Sequence, residues 1–325
     1  MLKSLLILCI SGLIARHTSA AETTQPAAQK PAPTLADVAY GEHPRQVLDF
    51  WKADSEKPTP LVFYIHGGGW MKGDKKDILK SHFEKYLAAG ISVVAINYRF
   101  ISHAIDAGIK PPVTWPIADA ARALQFVRSK SAEWNIDKQR IGASGGSAGA
   151  CSSLWLAFHD DLADPKSSDP ISHESTRLFC AAVHNAQTTL DPKLMQEWTP
   201  NSRYGGHAFG FWDGKEDKTR DTHFAEYLKH REELLTSIKV YSPMEHASAG
   251  DPPIYLIYDS APALGKPQKD PTHTSNFGVK LQERLNEIGV PCELVYPGAP
   301  NVAHPSAESY LIDTLKKPAP SPKGQ

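Results

Sequence analysis

The sequence predicts an α/β fold: a mostly parallel sheet with helices on both faces and an inserted cap region. Three observations predict it. Apolar strand-like runs alternate with segments of helical period through most of the chain. Two of those runs, at 61–65 and 91–96, are almost continuously apolar, as strands buried on both faces are. The composition is that of a globular chain. Of 325 residues, 41% are hydrophobic and 22% charged, too apolar for disorder and long enough to bury a sizeable core.

Taken in order, residues 1–20 (MLKSLLILCISGLIARHTSA) place Lys3 before a short apolar stretch and Thr18-Ser19-Ala20 after it. That is the pattern of a secretory signal peptide, and the stretch is too short for a comfortable membrane span. A secreted or periplasmic location without stable membrane insertion is therefore expected, with an uncleaved anchor as the alternative. Residues 21–34 read as a Pro/Ala/Thr linker and 317–325 as a matching tail, both expected to be disordered. Between them, 35–316 reads as one domain.

Within the domain, strands are expected at 46–51, 61–65, 91–96, 140–144, 179–183, 254–258 and 293–296. Helices are expected at 78–89, 117–127, 148–158, 277–288 and 306–315, with Gly90 placed to end the first. Residues 186–240 break the rhythm with Trp198, Phe209, Phe211 and Trp212 among glycines, and read as an insertion or cap. These aromatics either line a pocket or simply pack the insertion. The 35 Lys+Arg against 36 Asp+Glu give no basic excess and argue against a nucleic-acid partner. Cys151, Cys180 and Cys292 are scattered, so no metal site is expected. Small buried hydrophobes are the simpler reading, with one disulfide among the three left open.

Two motifs carry chemistry. His66-Gly67-Gly68-Gly69-Trp70 follows directly on the 61–65 strand, and successive glycines let backbone N–H groups converge on one spot. Fixed donors of that kind stabilise an oxyanion. Gly145-Gly146-Ser147-Ala148-Gly149 fits G-x-S-x-G between a strand and a helix, where a strained turn lifts the serine hydroxyl above the sheet. Ser144 also fits the pattern. Choosing it would put Gly145-Gly146 into the first helical turn, where glycine is unfavourable, so Ser147 is preferred.

With these motifs in place, the chain resembles the α/β-hydrolase superfamily, and within it the HGGG-bearing esterase/lipase group, similar to hormone-sensitive lipase and bacterial feruloyl-esterase-like proteins. Gly73-Asp74-Lys75, Asn97-Tyr98-Arg99, Asp119 and Ser242-Pro243 extend the match over roughly residues 40–315. The resemblance implies carboxylic-ester hydrolysis through an acyl-enzyme intermediate, with no cofactor, on a small-molecule or carbohydrate ester. It implies Ser147 as nucleophile and the N–H groups of Gly68, Gly69 and Ala148 as oxyanion hole, with His66 bracing the glycine loop.

The base is expected after the last strand, which points to His304, with His246 and His273 as rivals. The chain departs from the family at the acid. The strand near 254 ends Tyr258-Asp259, and an insertion stretches the loop before Asp270-Pro271. Counting back from the following helix favours Asp270 over Asp259. A serine peptidase of the same superfamily and a catalytically inactive binding protein are the competing readings.

Overall fold

The computed structural model describes residues 31–78, 80–214 and 216–318. The signal-peptide expectation for 1–20 lies outside the described residues, as do positions 21–30 of the linker and 319–325 of the tail. Eight strands form one sheet: β1 (Leu35–Ala39), β2 (Val47–Trp51), β3 (Thr59–Ile65), β4 (Ser92–Ile96), β5 (Ile136–Gly146), β6 (Cys180–His184), β7 (Ile254–Ile257) and β8 (Cys292–Val295). Their spatial order is β1-β2-β4-β3-β5-β6-β7-β8. The pairs β1–β2 and β2–β4 are antiparallel, and every pair from β4 to β8 is parallel. Parallel neighbours require crossovers, which helices supply on both faces.

The period of two sorts the side chains between two cores. Leu61, Phe63 and Ile65 of β3 face the larger core, and Val62 faces the smaller one. The helices divide the same way. Those used below are α1 (Lys80–Ala88), α2 (Thr114–Ser129), α3 (Ala148–Phe158), α4 (Pro192–Trp198), α5 (Glu216–Lys229), α6 (Arg231–Tyr241), α7 (Asn276–Glu287) and α8 (Ala307–Leu315). Leu124 of α2, Leu154 of α3 and Leu281 of α7 join the larger core, and Phe83 of α1 with Leu311 of α8 join the smaller. Each such side chain, wholly removed from water, contributes roughly 1.5–3 kcal/mol before the cost of ordering it.

Gly90 ends α1 at φ +75°, and Ser306 caps α8 by accepting from the Ser309 N–H. The strand at 35–39 escaped the sequence reading because LADVA is largely exposed and has no apolar period.

Among the described residues, no strand interrupts 186–240. Arg231 grips Asp191 through Nε at 2.8 Å and Nη2 at 2.6 Å, and the Tyr227 hydroxyl donates to the Leu190 carbonyl at 2.7 Å. Trp198 meets Phe277 edge-on with centroids 6.1 Å apart. Trp212 borders a void of only about 20 Å³. Both tryptophans pack the insertion. Cys151, Cys180 and Cys292 are free thiols, and burial pushes Cys180 and Cys292 up to about 12. Among the described residues no helix is long and apolar enough to cross a membrane.

Candidate active site

Ser147 stands between β5 and α3 with φ 54° and ψ −122°, a positive-φ conformation that costs a non-glycine residue of order 1–3 kcal/mol. The surroundings impose it. The Ser147 N–H donates to the His184 carbonyl at the end of β6, 3.0 Å away. A side chain at Gly149 would put its Cβ 2.1 Å from the Ile65 carbonyl oxygen, so α3 packs this close to β3 only with glycine there. Ser144 lies within β5, opposite Tyr64 and Ala182 on the neighbouring strands, and is buried.

The glycine loop after β3 abuts this elbow: a Cβ at Gly67 would lie 3.5 Å from that of Ser147. Gly68 has φ +97°, and a Cβ there would strike the Lys72 carbonyl oxygen at 2.2 Å. Only glycine turns the loop in this way. His66 fixes the loop from behind. Its ring is wholly buried, stacks on Tyr98 at 4.2 Å, and donates from Nδ1 to the Gly67 carbonyl at 2.8 Å. Its Nε2 faces the Arg45 guanidinium at 3.4 Å. Burial pushes the His66 pKa down to about 4, with Arg45 adding to the fall, so the ring is neutral in the Nδ1–H form. Arg45 also donates to the Gly73 carbonyl at 3.1 Å and lies over Phe100. Sequence reading did not single out Arg45.

The histidine on Ser147 is His273. Its Nε2 lies 2.9 Å from Ser147 Oγ, and its Nδ1 lies 2.8 Å from Asp270 Oδ2. Asp270 and His273 share one turn of the loop between β7 and α7. Asp270 Oδ1 accepts from the Thr272 N–H at 3.1 Å. Desolvation alone would raise the Asp270 pKa, but the hydrogen bond and charge of His273, with the Thr272 and His273 N–H groups, hold it below the ordinary carboxylate value.

His304, expected from chain order to be the base, is elsewhere. The connection from β8 to α8 doubles back along the edge strand, and two carboxylates capture the imidazole. Nδ1 lies 2.7 Å from Glu293, near the start of β8, and Nε2 lies 3.3 Å from Asp313. The Tyr255 hydroxyl holds the His304 carbonyl at 2.9 Å. Glu293, the largest favourable influence on a ring that desolvation opposes, raises the His304 pKa with help from Asp313. The sequence signal for His273 is the Asp-Pro-Thr-His run itself, in which a carboxylate at 270 and an imidazole at 273 meet within a single turn. His246 is turned to the Val240 carbonyl at 2.7 Å. Asp259 accepts from Asn185 Nδ2 at 2.7 Å.

One further histidine reaches the site from the cap. Nε2 of His207, on the short turn Gly206–Phe209, lies 3.5 Å from where a Cβ on Gly69 would stand. Its ring also meets Trp70 at a centroid distance of 6.0 Å. The cap thus packs on the glycine loop, a contact the sequence did not reveal. Among the described residues, no group of three or more His, Cys, Asp or Glu is placed to hold a metal ion.

A sheet of this order, with a serine on a strained elbow after β5 and a glycine loop after β3 beside it, defines the α/β-hydrolase superfamily. Within it, the chain belongs to the BD-FAE family, whose model matches residues 48–264. It is 30% identical to the esterase LipQ of Mycobacterium tuberculosis over 285 residues, covering 84% of this chain and 57% of that protein. It is also 32% identical over 151 residues to the probable carboxylic ester hydrolase LipM of the same organism, covering 45% of this chain and 32% of LipM. The chain thus spans 32% and 57% of the length of these two relatives. Among solved structures, the propionate-bound thermophilic esterase Est2 of the planctomycete Thermogutta terrifontis superposes with TM-score 0.56 at 25% identity, covering 85% of this chain and 89% of that one.

Proposed function

We propose that the protein is a serine hydrolase of carboxylic esters, with Ser147 as nucleophile, His273 as general base and Asp270 as the acid that orients it. The observation that carries this is the continuous pair of hydrogen bonds, Ser147 Oγ to His273 Nε2 at 2.9 Å and His273 Nδ1 to Asp270 at 2.8 Å. Because the Nδ1–H of His273 donates to Asp270, the proton stays on Nδ1 and Nε2 is free to accept the serine proton as Oγ attacks the carbonyl. The N–H groups of Gly68, Gly69 and Ala148 are assigned the resulting oxyanion. His273 then returns the proton to the leaving alcohol, and water reverses the sequence on the acyl-enzyme. No step requires a cofactor.

The substrate reading is a short acyl group on a bulky hydrophilic alcohol, such as an acetylated carbohydrate; a feruloylated carbohydrate, with its bulky aromatic acyl group, is the second reading. The Asp270 side chain is 60% exposed and that of His273 33%, so the leaving-group side opens to solvent. The propionate in the Est2 structure supports a short acyl group. A secreted or periplasmic location rests on the sequence of residues 1–20. Nitrophenyl esters of rising chain length, set beside acetylated xylan, test the substrate. Labelling with a fluorophosphonate followed by peptide mapping tests the nucleophile. Absence of label at Ser147, or hydrolysis that persists in Ser147→Ala, refutes the reading. N-terminal sequencing of the exported protein tests location, and an intact Met1 there refutes cleavage.

A further inference from the structure

The acid and base of the triad lie together on a loop whose residues from 259 to 271 are mostly exposed. Neither burial nor Asp270 itself fixes where that loop stands relative to Ser147, since Asp270 moves with His273. The geometry points to Gln187 as the positioning residue that sets His273 against Ser147, an inference that rests on the triad proposed above.

Gln187 is wholly buried. Its Nε2 donates to the carbonyl of Thr272, the residue before the base, at 2.7 Å and to the carbonyl of Asn185 at 3.2 Å. Just beyond the base, the neighbouring Thr188 hydroxyl donates to the Phe277 carbonyl at 3.0 Å. The same stretch begins at His184, whose carbonyl accepts the Ser147 N–H. Residues 184–188 therefore act as a strap that holds the nucleophile's backbone at one end and the base loop at the other.

Downstream of His273 the chain is already fixed. Thr274, Ser275 and Asn276 are wholly buried, and the Asn276 amide bonds to Trp198, Thr199 and Ala263. Upstream, the Asn201 amide pairs with the Gln268 backbone at 2.8 and 2.9 Å, and at residue 272 itself the Gln187 bond supplies the tie to the sheet side of the site. The amide also carries a cost, because its Oε1 is buried with no hydrogen-bond partner among the described residues, which buried polar atoms ordinarily avoid. An apolar residue of the same volume would avoid that penalty and lose the tether.

Gln187→Met keeps the length and removes both donors. With nitrophenyl acetate its kcat should fall about 10–100-fold, the order expected when a base is displaced by about an ångström. KM should stay within about twofold, since substrate contacts are untouched. The rate of fluorophosphonate labelling at Ser147 should fall in parallel with kcat, because it uses the same base, while the far-ultraviolet spectrum and thermal midpoint stay near wild type. Gln187→Asn, which retains the amide on a side chain one methylene shorter, is the second variant and should also lose kcat. Wild-type kcat in either folded variant overturns the inference, as does failure of both to fold, which would make Gln187 a packing residue. The triad reading is judged separately by the wild-type protein: if Ser147 takes no label there, that reading has failed whatever Gln187 does.

Discussion

Replacing Asp270 by asparagine asks whether the carboxylate works by setting the tautomer of His273. Asp270 uses both oxygens, Oδ2 toward His273 Nδ1 at 2.8 Å and Oδ1 toward the Thr272 N–H at 3.1 Å. An asparagine must give its carbonyl to one of them and its NH2 to the other. Turning the NH2 to Thr272 would set two donors against each other and forfeit a hydrogen bond worth about 1 kcal/mol. The favoured placement points the carbonyl at Thr272 and the NH2 at His273 Nδ1. The imidazole proton then moves to Nε2, where it blocks acceptance of the serine proton. In a well-shielded serine triad that error costs about 10⁴-fold in turnover.

Here the Asp270 side chain is 60% exposed, so water competes for Nδ1 and some rings keep the productive tautomer. We expect a loss on the order of 10³-fold, between full tautomer inversion and none. The assay is kcat/KM on nitrophenyl acetate across the neutral and alkaline range, with burst amplitude to count acylated sites. Asp259→Asn is the control and should stay within about threefold, since the Asp259 carboxylate pairs with the Asn185 amide and it is Asp270 that holds His273. An Asp270→Asn enzyme within threefold of wild type refutes the reasoning, as does a crippled Asp259→Asn.

Other expectations follow from the same contacts. Ser147→Ala should abolish hydrolysis while Ser144→Ala, within β5, affects packing alone; the reverse in a nitrophenyl-ester assay moves the elbow. His304→Ala should cost stability rather than turnover. The folded-state pKa of His304 is raised, so its ion pairs contribute fully below the ordinary histidine value of about 6.5 and fade as pH rises through the folded value. The difference in thermal midpoint from wild type should accordingly shrink toward alkaline pH, and a gap that widens there contradicts the assignment.

His66 has the opposite sign. Its folded pKa of about 4 lies below the unfolded value of 6.5, so its share of stability is present above 6.5 and is lost as pH falls toward 4. The share is about 3 kcal/mol at most, from 1.36 kcal/mol per unit. Urea titrations near pH 7.5 and 4.5 should show that loss in wild type and lack it in His66→Asn; equal losses in both would refute it.

What the sequence made legible was local. The strands at 61–65 and 91–96 are apolar runs between turns, and the helix at 148–158 follows an elbow whose glycines admit one serine. The glycine loop is readable because three glycines in a row have few other uses. Asp270 was within reach for the same reason, since its place is counted from the adjacent helix. His304 was misplaced because chain order constrains which loop a base comes from but not the path of that loop. The connection after β8 folds back to Glu293, a tertiary event no local pattern announces. Arg45, Gln187 and His207 were invisible in the same sense. Each acts on a residue far along the chain: Gly73 and His66, Thr272, and Gly69 respectively. The strand at 35–39 was missed because an exposed edge strand has no buried face to leave a period in its sequence.

The proposed mechanism stands on His273, and not the histidine after the last strand, serving Ser147. Steady-state turnover of nitrophenyl acetate by His273→Ala and His304→Ala, measured side by side on folded protein, tests it most directly. His273→Ala should lose on the order of 10⁴-fold or more, because triad members act as a unit, and His304→Ala should turn over within about twofold of wild type. An active His273→Ala beside an inactive, folded His304→Ala would contradict it.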